Sequence, residues 1–373
     1  MSEKIYLDNN ATTPLDPDVL DVMIEELAGA PYNPSSIHTF GQEGKKRLSA
    51  ARKTVADFLG VRHTEIVFTS GGTEGLNLLV RGANPAGHII ASDIDHPALY
   101  RTIQDLKREV TYLPVDSFGA PKPSDLEKAI RPNTTLIALS AANSETGVML
   151  DIHAFANIAK KHQIPLILDG VALLGKEPVT IPDGVSGIAF SAHKFHGPQG
   201  VGFVYLHSSF KPAPLFAGGG QEKGLRPGTE NLPGILGMAH ALTLLKTEPP
   251  YSELAHFRET FEATIIKALP DTEVNGDGPR LSNTSNLYFP GIDGESLLIA
   301  LDMGGIAASH ATACASGALE PSRTLLNMGY TKERASSSLR FSFSRMNTLT
   351  EITQAATTLI ALVKKQRTLT LVP

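Results

Sequence analysis

Cysteine is nearly missing from this 373-residue chain: Cys314 is the only one, so no intrachain disulfide can form and a reducing compartment is expected. Long apolar runs are missing as well. None approaches the roughly 20 residues that a membrane helix requires, so no membrane association is expected. The N-terminus, MSEKIYLDNN, has neither an apolar h-region nor a small-residue cleavage site. No signal peptide is therefore expected, and the cytoplasm is the expected location. A large excess of one charge is also absent. Net charge is −5 and the pI is near 6.2, which gives no basic footprint for nucleic acid. Long repeats and low-complexity tracts are absent. His193 and His196 have no further ligand at suitable spacing, so no metal is expected.

What is present is an ordinary globular composition, 42% hydrophobic and 19% charged, in a chain long enough for two domains. The fold class expected is α/β. EIVFTS, HIIAS, TLIALS, IPLILD, GIAFS and GFVYLH are nearly continuous apolar runs, as strands of a mainly parallel sheet covered on both faces should be. Helical stretches such as 41–59 and 151–162 separate most of them. TEPPYSE (Thr247 to Glu253) is a Pro-rich break. Residues 15–246 are therefore expected to form a large domain. Residues 1–14 and 247–373 are expected to form a smaller α/β domain.

Two strand ends carry chemistry. ILDG stops on Asp169, and AFSAHK stops on Ser191, His193 and Lys194. Ligands of an open parallel sheet sit at the carboxyl ends of its strands. A lysine and an acid at neighbouring strand ends suit pyridoxal phosphate: the lysine can form a Schiff base with its aldehyde, and the acid can keep its ring nitrogen protonated. An Asx-turn aspartate and a surface lysine are the plainer readings. TSGGTEGLN (Thr69 to Asn77) follows a strand and opens a helix, so Gly71, Gly72 and Thr73 make a candidate monophosphate cradle, or an ordinary capped turn. His96, in SDIDHPALY, can stack on a ring and handle protons, or cap a helix. Cys314 lies among small residues in SHATACASGALEPS, a candidate nucleophile on a loop that buries little. GGGQEKGLRPGTEN carries Arg226 and Thr229 and reads as a linker or an anion-contacting loop. SSSLRFSFSR alternates like a strand and sets Arg340 among apolar neighbours, where an anion such as an α-carboxylate would serve it.

Taken together, YLDNNATTP, YNPSSIHTFG, TSGGTE, SETGV, SAHKFHGPQG, LRPGTEN, ATACASGALEPS and LRFSFSR resemble the cysteine desulfurase family, aminotransferase class V enzymes of pyridoxal-phosphate fold type I, over nearly the whole chain. The resemblance implies Lys194 joined to pyridoxal 5′-phosphate, Asp169 on its ring nitrogen and His96 stacked as acid/base. It implies Gly72, Thr73, Glu74, Ser144, Ser191 and His193 around the cofactor, with Thr229 supplied by the other subunit of a homodimer. It assigns Asn33 and Arg340 to the substrate carboxylate. It makes Cys314 the persulfide-forming residue that takes sulfur from L-cysteine, leaves alanine and passes the sulfur to an acceptor or scaffold protein. Two positions depart from the family pattern: Ser144 stands where asparagine is usual, and Ala172 where glutamine is usual. Both usual side chains approach the cofactor's phenolic oxygen, so slower turnover or altered substrate choice is expected. The tail ending at Pro373 is short in the region that longer members turn toward the scaffold. A selenocysteine lyase, a small-amino-acid aminotransferase and a non-catalytic relative acting as a binding subunit remain as alternatives.

Overall fold

The computed structural model describes residues 4–83, 86–310 and 320–370. Cys314 and the roles expected of it lie outside the described residues. The strands, in chain order, are β1 (Ile5–Tyr6), β2 (Ile66–Thr69), β3 (His88–Ala91), β4 (Val110–Tyr112), β5 (Thr134–Ser140), β6 (Leu166–Asp169), β7 (Val185–Ser191), β8 (Gly202–Leu206), β9 (Glu273–Val274), β10 (Thr284–Tyr288), β11 (Ile306–Ala307) and β12 (Ser338–Ser342).

Seven of them form the main sheet, in the order β2-β8-β7-β6-β5-β3-β4. β8 alone is reversed: it pairs antiparallel with both β7 and β2, and the other pairs are parallel. Residues 192–201 are too short a connection for a crossover, and a short connection between neighbouring strands forces the antiparallel pairing. All the remaining strands therefore end at one edge of the sheet. The alternation of side chains divides the apolar runs between two faces. Phe68, Ile137, Leu168, Ile188 and Phe203 join one core with helices Thr39–Leu59, Ile152–His162 and Leu232–Thr247. Val67, Leu136, Ile167, Ala189 and Val204 join another with helices Gly72–Gly82 and Pro97–Asp105. β4 was not among the strands expected. It is three residues long, half-buried and at the sheet edge, so it lacks the apolar run that marks the others.

The Pro-rich break stands between helices Leu232–Thr247 and Tyr251–Ala268. Beyond it a separate core gathers Phe257, Phe261, Leu287, Phe341 and Ile352 with Ile5 and Leu7 from the start of the chain. There β12, β10 and β9 form an antiparallel sheet, and β1 pairs with β11. Residues following β1 then run from this core to the main sheet: Asn9 N–H donates to Ser342 O, and Thr13 N–H to His193 O.

Candidate active site

A cavity of about 560 Å³ opens at the edge where the parallel strands end. Asp169 closes β6 and Ala189 of β7 is its register partner, so Asp169 and Lys194, just beyond β7, arrive side by side. Both line the cavity together with His96, Gly72, Thr73, Glu74, Ser144, Ser191 and His193. The turn Ala192–Lys194 presents the lysine, whose Nζ donates to Asn10 O at 2.6 Å and Ala11 O at 2.8 Å. Burial, with help from Arg340, pushes Lys194 down to about 8 against the pull of Asp169 and Asp8. Part of its amine is unprotonated near neutral pH, as a nucleophile or base requires.

Asp169 is buried, and its Oδ1 accepts from Val171 N–H at 3.0 Å. Burial raises its pKa; His96, the Val171 N–H and Lys194 oppose that rise. Such a carboxylate calls for a cation to hold it ionised. His96 is the N-cap of helix Pro97–Asp105, and its Nδ1 accepts from Ala98 N–H at 3.1 Å, leaving the ring proton on Nε2. The ring is open to the cavity, yet the protein packed around it still lowers its pKa. That desolvation is the main cause; Lys194 and Arg323 add to it and Asp169 opposes it. His96 is therefore a helix cap and a cavity-facing base at once.

The phosphate-sized corner is built from the start of helix Gly72–Gly82. First-turn N–H groups of a helix have no intrahelical partner and carry the positive dipole end. Gly71 has φ 151°, a conformation closed to most side chains, and a Cβ on Gly72 would meet Val171 Cγ2 at 2.5 Å. Ser191 lies beside this corner, its Oγ 3.3 Å from where a Cβ on Gly71 would stand, and His193 lines the same cavity. Burial and the two lysines Lys194 and Lys176 push His193 down to about 4, so it is neutral, with Nδ1 3.1 Å from Thr12 Oγ1. Glu74 is held at the rim: Oε2 accepts from Ser70 N–H at 2.8 Å and Oε1 pairs with Arg226 at 3.1 Å.

Three expected residues stand apart. Arg340 does not line the cavity; it donates to Asp8 Oδ1 at 2.6 Å and to Ser144 O at 3.1 Å. Asn33 and Thr229 are exposed on loops outside it. Other residues escaped the sequence reading. The carbonyls of Asn10 and Ala11 hold the Lys194 amine. Asp95, a buried acid next to His96, takes a Ser140 N–H at 3.0 Å, leaves Oδ2 unpartnered and is pushed up by burial to about 7. Arg323 lines the cavity and lies 4.2 Å from the Tyr100 ring centroid. A carboxylate directly before His96 was the available signal for Asp95; main-chain carbonyls leave no signal at all.

The model of the aminotransferase class V family matches residues 5–354. The chain belongs to this family. Its relatives include the cysteine desulfurase of Nostoc sp., 39% identical over 98% of this chain and 94% of that one, and the cysteine desulfurase IscS of Dictyoglomus turgidum, 38% identical over 99% and 97%. Among solved structures, a NifS-like protein superposes with a TM-score of 0.87 at 34% identity, covering 97% of this chain and 100% of that one. A structure described as SspA in complex with cysteine superposes with a TM-score of 0.82 at 30% identity, covering 92% and 100%. Class V enzymes of this kind depend on pyridoxal phosphate, and the donors in the cavity suit it: an aldehyde-reactive amine, a buried carboxylate in want of a cation, and a helix N-terminus for an anion. Among the described residues no cluster of His, Cys, Asp or Glu suits a metal, and no helix is long and apolar enough to cross a membrane.

Proposed function

We propose that this protein is a cysteine desulfurase that converts L-cysteine to L-alanine and passes the sulfur through Cys314 to an acceptor protein. The observation that carries this reading is the meeting of Lys194, Asp169 and His96 in one cavity, in a chain 37–40% identical to curated cysteine desulfurases. Lys194 would hold the cofactor and Asp169 its ring nitrogen. Gly72, Thr73, Ser191 and His193 would hold its phosphate, with Thr229 of a second subunit. When bound, pyridoxal phosphate supplies an electron sink for the carbanion at the substrate α-carbon. With its amine free, Lys194 would remove the α-proton of the bound amino acid. Arg340, released from Asp8, and Asn33 would receive the substrate carboxylate. The Cys314 thiolate attacks the substrate sulfur; the S–S bond forms as the carbon–sulfur bond breaks, and the three-carbon remainder takes up protons and leaves as alanine. His96, neutral near pH 7, handles a proton at the sulfur.

We place the protein in the cytoplasm as a homodimer, with residues 1–14 and 247–373 as its small domain. The sequence of Cys314 and its surroundings disfavours an aminotransferase, which needs no thiol.

A single-turnover assay tests the proposal. L-cysteine is added to purified protein, alanine is quantified, and persulfide is mapped by mass spectrometry, with Cys314→Ala alongside. Alanine and a Cys314 persulfide, both lost in the variant, are the expected result. A yellow, cofactor-loaded protein that yields neither overturns it.

A further inference from the structure

Behind the cavity lies a second lysine that the reaction above does not use. Lys176 is 4% exposed, in the turn after β6. Its ammonium donates to the main-chain carbonyl of Lys194. Its own carbonyl accepts from Ser282 Oγ at 2.5 Å, and its N–H donates to Leu173 O at 3.1 Å. A buried ammonium is costly unless paired, and among the described residues no carboxylate pairs with it. The surrounding charges do not compensate. Lys194 and His193 lie toward the cavity. His196 and Arg345 share a small void with Lys176, and Arg345 is taken by Asp16. Both histidines are pushed down to about 4.

We propose that Lys176 is a positioning residue for Lys194: it clamps the carbonyl at the end of the Ala192–Lys194 turn and so fixes where the Lys194 amine stands in the cavity. The clamp is placed to matter. The three-residue turn is all that separates β7 from the point where the Lys194 side chain leaves the backbone. Gly175, at φ 86°, brings the Lys176 turn against it; a Cβ there would meet Phe195 Cβ at 2.8 Å. Burial and the Lys194 charge push Lys176 itself down to about 7, and a neutral amine still donates to the Lys194 carbonyl.

The inference rests on Lys194 as the cofactor lysine. Its test is a pH titration of the holoenzyme's visible absorbance, with kcat and melting temperature measured beside it, for Lys176→Gln and Lys176→Met. Both variants remove the amine, but glutamine keeps an N–H for the carbonyl, so its absorbance midpoint should stay near that of wild type while that of methionine moves by on the order of one pH unit. Only methionine also loses the donor, so it alone should lower kcat, by about tenfold at unchanged KM, while glutamine keeps most of it. A folded methionine variant with unchanged midpoint and kcat overturns the proposal, and so, should methionine fail to fold, does a glutamine variant that loses kcat tenfold. A wild-type protein that makes no alanine would instead refute the desulfurase reading, and the midpoint would still report on Lys176.

Discussion

The two halves of the site are built differently. Asp169, Lys194 and His96 follow directly on strands of one sheet, and pairing places them within one cavity. Asn33 and Thr229 sit exposed on loops outside that cavity, and Arg340 is occupied by Asp8 and Ser144. Strand ends are fixed by the whole sheet's hydrogen bonds, so the first half assembles within a single chain. The loop residues have no such constraint, and under the proposed homodimer a second subunit would complete their half. The largest test of this contrast is at the sheet edge. Lys194→Ala should lower alanine formation by about a thousandfold or more, since it removes both the anchor and the proton-transfer group. Residual activity within tenfold of wild type would mean another base does the work.

Asp169→Asn comes next. It keeps the shape and the Val171 N–H bond but removes the charge, and a charge-assisted bond contributes roughly 1.5–3 kcal/mol. Cofactor affinity, followed by absorbance on dilution, should weaken by about ten- to a hundredfold. Affinity equal to wild type would put the ring nitrogen elsewhere.

Thr229→Ala sharpens the comparison, because one neutral hydrogen bond contributes only about 1 kcal/mol and the expected loss is roughly fivefold. Where the threonine comes from can be read by mixing subunits. In a hybrid of Thr229→Ala and Lys194→Ala chains, one site would hold both changes and the other neither, so the hybrid should exceed either parent. A hybrid no better than the mean of its parents would place Thr229 in its own subunit's site.

Asp95 breaks the contrast from the other direction, as a sheet-edge residue under stress. Burial holds its folded pKa near 7, above the ordinary 3.8. The folded state therefore binds a proton that the unfolded state releases, and stability falls as pH rises from about 4 to 7. Asp95→Asn keeps an acceptor for the Ser140 N–H and removes the buried charge. Its melting temperature should exceed wild type by a few degrees at pH 8, and the gain should vanish near pH 4. A gain independent of pH would show that Asp95 is paired and content.

How much of this was legible follows the same division. The apolar runs ending on Asp169 and Lys194 named the sheet edge, because burial on both faces writes itself into sequence as uninterrupted Ile, Leu, Val and Phe. The short edge strand Val110–Tyr112 has one covered side and left no such run. Contacts made by main-chain carbonyls were invisible: nothing in the residue types of Asn10, Ala11 or Lys194 announces that their carbonyls hold two lysine amines. Arg340 was read as a half-buried arginine needing an anion, and the anion in the structure is Asp8, from a segment 332 residues away.

The smallest expected effect lies at Ala172, on the cavity wall and without a hydrogen-bonding side chain. By the family pattern that the sequence resembles, a glutamine there would add one donor near the cofactor. Ala172→Gln should raise turnover by roughly fivefold, the equivalent of about 1 kcal/mol, if the missing bond limits the reaction. The measurement is kcat for alanine formation, compared with the absorbance midpoint of the same variant. A shifted midpoint with unchanged kcat would show that the chain has moved its slow step away from the cofactor, to delivery of sulfur. Neither quantity changing would mean that the cavity has closed over the gap by its own packing, and that the sheet-edge half of the site tolerates the loss because Lys194 and Asp169 already hold what matters.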